Sequence, residues 1–252
     1  SPDAPKVAAT RYTGLEIIHL GYDPELYKAR QKAARSLPLI EATVREEPDN
    51  HQQRFYLGRE YLLLGRLEDA QSALSLAFEG TLSSGNGPLV DIATHLMQAM
   101  LSGGIPAQEV LKVGRTALSH APHHPDLWME LGRVLISVNV LQEGVDALER
   151  ALLCLEQQVT DGSQVRLAHR RWEVHEFLGR GYWGLGRYQA SYRHYLSALP
   201  NKPAESAGWP VMLNSLCALA IELGDNDRLP GLLDRLFLQP DAPLGMFFFE
   251  LD

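Results

Sequence analysis

The stretch from residue 51 to residue 78 places small residues among larger apolar ones at intervals that suit two packed helices. Gly58 removes a side chain where two antiparallel helices come closest, and Ala70 and Ala77 keep one stripe of the second helix thin. Larger side chains, among them Leu57 and Leu74, fill the space beside these small residues. The pattern predicts a helix hairpin, and a single hairpin needs neighbours to bury its apolar face.

The same spacing recurs along the chain. Gly132 and Gly179 repeat the position of Gly58, and Ala117 and Ala151 lie 34 residues apart. A helix hairpin repeated with this period resembles the tetratricopeptide repeat (TPR). Two further copies are weaker, and one of them carries Gln98 where glycine is usual. The predicted fold is all-α, a right-handed TPR-type solenoid with a short N-terminal extended segment. Its five expected helix pairs cover residues 51–80, 88–121, 125–158, 165–203 and 209–239.

The regions outside the helix pairs are expected to differ from them. Residues 1–23 are predicted as a leader with a short apolar strand, left from a domain upstream of Ser1. Residues 24–47 form a lead-in helix that Pro38 kinks or divides. The solenoid then covers residues 48–240. Gly132 and Gly179 are 47 residues apart, thirteen more than one period, so the fourth unit's first helix is expected to extend back to about Val165.

Composition excludes some classes of function. The chain has 252 residues and a formal net charge of −8 without a basic block, which disfavours a nucleic-acid groove. No apolar run approaches the length of a membrane span. Cys154 and Cys217 fall in different predicted helices and indicate small apolar fillers in a reducing, cytoplasmic compartment rather than a disulfide framework.

The N-terminal fifth carries a more specific pattern. Ile17, His19, Gly21 and Tyr22 match an I-x-H-x-G-Y motif, and a second motif follows at Arg35, Leu37, Leu39 and Ile40. This segment, followed at once by a repeat, resembles the junction in TPR-containing family 2 glycosyltransferases. The resemblance implies that a nucleotide-sugar-binding catalytic domain lies before Ser1, and that this chain alone is not catalytic.

Chemical motifs are few. Asp225-Asn226-Asp227 has the Asp-x-Asp form of a glycosyltransferase metal site, but it follows Leu223-Gly224 at a turn, where Asp and Asn cap helices. No cysteine or carboxylate completes a zinc site with His120, His123 and His124. No metal, cofactor or catalytic residue is therefore predicted.

The best candidate site is a surface formed by the first helices of the pairs. One residue after the pattern's glycine stand Arg59, Arg133 and Arg180, with apolar or acidic neighbours one turn before and three residues beyond. Guanidinium groups beside exposed apolar side chains suit an acidic peptide partner. Alternatively, each arginine forms only an ion pair with a nearby glutamate. The predicted peptide-binding residues are Phe55, Arg59, Leu62, Met129, Arg133, Ile136, Glu176, Arg180 and Trp183. Ala99 and Ala218 break the row in the second and fifth units.

The tail, residues 241–252, carries Phe247-Phe248-Phe249. It is expected to cover the open end of the last repeat, and the alternative is a sticky peptide for another subunit of a homo-oligomer or for the groove of the solenoid itself.

Two functional hypotheses remain open. In the first, the chain is a non-catalytic scaffold that binds a protein or peptide. In the second, it supplies acceptor-binding surface to a glycosyltransferase domain upstream. If the sequence before Ser1 contains no such domain, the chain is a free-standing TPR adaptor.

Overall fold

The computed structural model describes residues 32–157, 164–203, 206 and 208–237. Within these residues lie eleven α-helices, one short 3₁₀ turn (Leu167–His169) and no strand. The helices are α1 Lys32–Glu46, α2 His51–Leu63, α3 Leu67–Ser84, α4 Leu89–Ser102, α5 Ala107–His120, α6 Pro125–Ser137, α7 Leu141–Gln157, α8 Arg171–Gly184, α9 Tyr188–Ala198, α10 Trp209–Glu222 and α11 Leu229–Phe237. None of these helices is both long and apolar enough to cross a membrane.

The helices pack in chain order as a TPR-type solenoid. Five hairpins form from α2 with α3, α4 with α5, α6 with α7, α8 with α9, and α10 with α11. Each second helix also packs on the first helix of the next pair, and α1 packs on α2. The first helices α2, α4, α6 and α8 contact one another in sequence. The all-α solenoid predicted from the repeats is confirmed, and its first helices share one side of the array.

The glycines lie where the helix backbones come closest, as the spacing predicts. A Cβ atom at Gly58 would stand 2.5 Å from Leu74 Cγ, and one at Gly132 would stand 2.6 Å from Leu148 Cγ. A Cβ at Gly179 would stand 2.7 Å from the ring of Tyr195. Real Cβ contacts are not this short, so each hairpin depends on a residue without a side chain at this position.

In the second pair, the glycine at the closest approach lies on the second helix instead of the first. Gly58, Gly132 and Gly179 each lie five residues before their helix ends, and Met97 holds that place in α4. The small residue comes from α5 instead, because a Cβ at Gly114 would lie 3.0 Å from Met97 Cε. The assignment of Gln98 to the glycine position is therefore wrong by one residue. The shift arises because four residues, 103–106, join α4 to α5, whereas three residues join α2 to α3.

The start of α8 also differs from expectation. The helix begins at Arg171 rather than near Val165, and the preceding Leu167–His169 forms a separate 3₁₀ turn. The buried carboxylate of Asp126, on α6, accepts hydrogen bonds from the backbone N–H of Arg166 at 3.0 Å and of Leu167 at 2.7 Å. These two N–H groups are satisfied by a side chain from another unit, so α8 does not have to extend back through them to satisfy them.

The outer parts of the chain fall partly outside the described residues. The leader, its predicted strand and residues 24–31 of the lead-in helix lie outside them, and so does the tail at 241–252. The described part of the lead-in helix is α1, which continues through Pro38 without ending there. Two shorter helices separated at Pro38 are therefore excluded.

Candidate functional site

A cleft of about 620 Å³ opens along the first helices α4, α6 and α8. We call it the first-helix cleft. The lining residues come from these helices, from the turn before α8 and from the segment between α9 and α10. They are Gln98, Leu101, Ser102, Glu130, Arg133, Arg170, Trp172, Glu173, Glu176, Phe177, Arg180, Lys202, Ser206 and Gly208.

The predicted arginine row is brought together only in part. Arg133 and Arg180 both line the first-helix cleft. Arg59 does not, and its guanidinium lies 5.6 Å from the centre of the Phe55 ring. Because the second pair is shifted by one residue, its place in the row belongs to the exposed Gln98 and not to the buried Ala99. The row inside the cleft is thus Gln98, Arg133 and Arg180.

The residues one turn before the arginines are not exposed, contrary to expectation. Phe55, Met129 and Glu176 have only 4%, 3% and 4% of their surface accessible. Phe55 packs edge-on against His95 of α4, with ring centres 5.2 Å apart. This position faces the next first helix, because successive first helices touch in this solenoid.

The residues three beyond the arginines, Leu62, Ile136 and Trp183, are half-buried and do not line the first-helix cleft. Ile136 packs so closely on Gly181 of α8 that a Cβ there would lie 2.7 Å from its Cδ1 atom. Trp183 packs against Tyr188, with ring centres 5.7 Å apart. Leu101, Trp172 and Phe177 provide the apolar surface of the cleft instead.

Ion pairs connect the charged groups of the cleft. Arg133 donates to Glu130 Oε2 at 2.6 Å, and Arg170 donates to Glu173 Oε2 at 2.5 Å. Burial alone would lower the pKa of Arg170, but the hydrogen bond to Glu173 and the surrounding negative charge raise it above its ordinary value. The guanidinium of Arg170 therefore stays charged. Arg133 therefore forms the ion pair that was considered as an alternative, and it also lines the cleft.

Glu176 differs because two cations share it. Arg180 donates to its Oε1 atom at 2.5 Å, and Lys202 donates to its Oε2 atom at 2.6 Å. The Lys202 side chain is 1% exposed, and its ammonium lies 4.6 Å from the ring centre of Trp172 and 5.8 Å from that of Trp209. Two aromatic faces and a carboxylate compensate for the water that this buried ammonium has lost.

A metal site is not found among the described residues. They contain no group of three histidine, cysteine or carboxylate side chains suited to a metal ion. Asp225, from the Asp-x-Asp triplet, accepts a hydrogen bond from the Tyr192 hydroxyl at 2.9 Å and lies 3.6 Å from Arg228. The triplet follows α10 at the turn into α11, as its sequence position predicts.

Several residues of the cleft escaped the sequence-based prediction. Arg170, Trp172 and Glu173 lie at the start of α8, at positions that the spacing rule around the glycine does not reach. Lys202 contacts Glu176 across 26 residues of sequence, and no local pattern indicates that contact. The tryptophan at the start of the fourth unit was the one available signal, since tryptophan is common at binding surfaces.

Comparisons with known proteins support the fold. No protein-family model matches the chain, and no curated protein matches it. A chain from the crystal structure of the APC/C hetero-tetramer Cut9-Hcn1 is 15% identical with a TM-score of 0.62, over 85% of this chain and 37% of that one. Pseudomonas aeruginosa PilF is 19% identical with a TM-score of 0.58, over 76% of each chain. YrrB, a TPR protein with an unusual peptide-binding site, is 14% identical with a TM-score of 0.56, over 80% of this chain and 93% of its own. These similarities show a shared TPR fold.

Proposed function

We propose that this chain is a non-catalytic protein-interaction scaffold that binds an acidic segment of a partner protein in the first-helix cleft. The observation that carries the proposal is the convergence of three guanidinium groups, from Arg133, Arg170 and Arg180, on one open cleft. TPR solenoids present extended surfaces of this kind to partners. The similarity to YrrB, which has a peptide-binding site, supports the same class of function.

The charge of the cleft favours an acidic ligand. Among the described residues, its lining contains four cationic side chains, Arg133, Arg170, Arg180 and Lys202, against three glutamates, which leaves an excess of one positive charge. The chain as a whole carries −8. A positive cleft in a negative protein attracts an acidic peptide locally and repels it elsewhere.

The arginines also keep donors for a ligand. A guanidinium has five N–H donors, and Glu130 takes those of two Arg133 nitrogens at 2.8 and 2.6 Å. Arg180 gives one hydrogen bond to Glu176, and its guanidinium lies 5.0 Å from the Phe177 ring centre. Both side chains are partly exposed, so the remaining donors can bind a carboxylate.

Half-buried apolar surface adjoins these charges. Leu101, Trp172 and Phe177 line the same cleft and could cover the aliphatic or aromatic side chains of a bound peptide. Binding by charge and apolar contact together is typical of interfaces enriched in tryptophan and arginine.

Alanine substitutions test this assignment. A labelled tetraglutamate peptide should bind the wild-type protein in fluorescence anisotropy, and a tetralysine peptide should not. Arg133→Ala and Arg180→Ala should each weaken tetraglutamate binding roughly tenfold, since each removes a charge-assisted contact. Arg115→Ala is the matched control, because Arg115 is exposed on α5 outside the cleft and its pair with Glu143 is long, at 3.5 Å. Unchanged affinity in both cleft variants would remove the arginines from the site.

A second candidate function is the acceptor-binding part of a glycosyltransferase whose catalytic domain lies before Ser1. The motif at Ile17, His19, Gly21 and Tyr22 supports it, and those residues lie outside the described part of the chain. The exposure of Leu39, at 67%, also favours it, because an upstream domain packed on α1 would cover this side chain. A coding sequence upstream of Ser1 with Asp-x-Asp after a strand is the expected result. The absence of such a region would leave a free-standing TPR adaptor. We propose a cytoplasmic location for such an adaptor.

A further inference from the structure

Lys202 lines the first-helix cleft and contributes its charge, but it is too buried to make the peptide contacts described above. Lys202 lies in the segment between α9 and α10 and inserts its ammonium between Trp172, at the start of α8, and Trp209, at the start of α10. Its side chain is 1% exposed and cannot form a large contact surface with a partner. Burial of an ammonium group is costly, so its presence here calls for a reason.

The ion pairs around Glu176 supply that reason. Without Lys202, Glu176 would have Arg180 as its one remaining ion-pair partner among the described residues, and the two charges would cancel. With Lys202 present, the carboxylate is held from its Oε2 side at 2.6 Å while Arg180 binds Oε1 at 2.5 Å. The three groups together carry one net positive charge, and Arg180 is the partly exposed member.

We propose that Lys202 is a positioning residue that neutralises Glu176 from the buried side. The positive charge of Arg180 is then not balanced by Glu176 and can attract the carboxylate of an acidic partner. This inference rests on the proposed function of the first-helix cleft and deepens it. It assigns the excess charge of the cleft to a residue that the partner does not touch. Lys202 therefore determines the preference for acidic partners from behind the binding surface.

The charges predict effects of opposite sign from two substitutions. Lys202→Met keeps an unbranched apolar chain between the two tryptophans and lowers the net charge of the group from one to zero. Glu176→Gln keeps the shape of the side chain and raises the net charge to two. The double variant returns the net charge to one, carried by Arg180. A purely structural role for Lys202 would make both single variants bind more weakly, so the sign of the Glu176→Gln effect separates the two explanations.

The experiment measures the affinity for labelled tetraglutamate at low ionic strength, with thermal unfolding to confirm that each variant is folded. Lys202→Met should bind about fivefold more weakly and Glu176→Gln about fivefold more tightly, as expected for one partly screened charge. The double variant should lie within about twofold of wild type, because the two single changes in charge are opposite in sign and add. Added salt should reduce all these differences. Lys112→Met, on the exposed side of α5, is the matched control and should leave the affinity within about twofold of wild type.

The outcomes distinguish a failure of the proposed function from a failure of the inference about Lys202. A wild-type protein that does not bind tetraglutamate overturns the proposed function, and the inference falls with it. A wild-type protein that binds, together with unchanged affinity in Lys202→Met or weaker binding by Glu176→Gln, overturns the inference alone. If Lys202→Met does not fold, Glu176→Gln still decides the matter by the sign of its effect.

Discussion

Replacement of Gly132 by alanine tests how closely the helices of one hairpin approach. A Cβ atom at Gly132 would lie 2.6 Å from Leu148 Cγ and 3.0 Å from the carbonyl oxygen of Gly144. The leucine is fully buried and the carbonyl belongs to the backbone, so neither can rotate away. Overpacking of this kind costs about 3 kcal/mol, and the better helix propensity of alanine returns about 1 kcal/mol. Gly132→Ala should therefore lower the free energy of unfolding by about 2 kcal/mol.

The same substitution at Gly231 provides the control. Gly231 lies in α11, and a Cβ there would meet no atom within 4 Å. Gly231→Ala should therefore stabilise the protein by up to about 1 kcal/mol through helix propensity alone. Urea denaturation followed by far-UV circular dichroism measures both variants. Equal stability of Gly132→Ala and wild type would refute the close approach of α6 and α7.

Two other predictions concern the fourth helix pair and the segment that precedes it. The Nδ1 atoms of His175 and His194 lie 3.0 Å apart between α8 and α9, and burial lowers the pKa of His175 and lowers that of His194 to about 4. The pKa of a histidine in the unfolded chain is near 6.5, so protonation favours the unfolded state as pH drops from about 6.5 towards 4, and the melting temperature should fall. His194→Asn should flatten this dependence, and an equally steep fall in the variant would contradict the assignment. Asp126→Ala removes the acceptor for the N–H groups of Arg166 and Leu167, so it should cost about 2 kcal/mol and speed hydrogen exchange at those two amides. Unchanged exchange there would show that the carboxylate does not hold this segment.

The repeat architecture was predictable from sequence because its cause is local. Gly58, Gly132 and Gly179 mark points where backbones nearly touch, and they lie at a fixed distance from the ends of the three first helices α2, α6 and α8. The second pair was misaligned because the small residue can come from either helix. Here Gly114 on α5 accommodates Met97 on α4, which the spacing rule does not anticipate.

The candidate site was less predictable because its contacts are long-range. The positions of Arg133 and Arg180 followed from the repeat, and both line the cleft. The burial of Phe55 depends on how one unit packs on the next, which a pattern within a unit does not specify. The contact of Lys202 with Glu176 depends on the path of the chain after α9, and no periodicity encodes that path.

Photo-crosslinking of the bound ligand tests the central claim that the first-helix cleft is the binding surface. A tetraglutamate peptide with a benzophenone group would be irradiated on the wild-type protein, and the adducts located by mass spectrometry. We predict adducts on the half-buried residues that line the cleft, Leu101, Trp172 and Phe177. Adducts confined to the second helices α5 and α7 would place the ligand elsewhere and contradict the account.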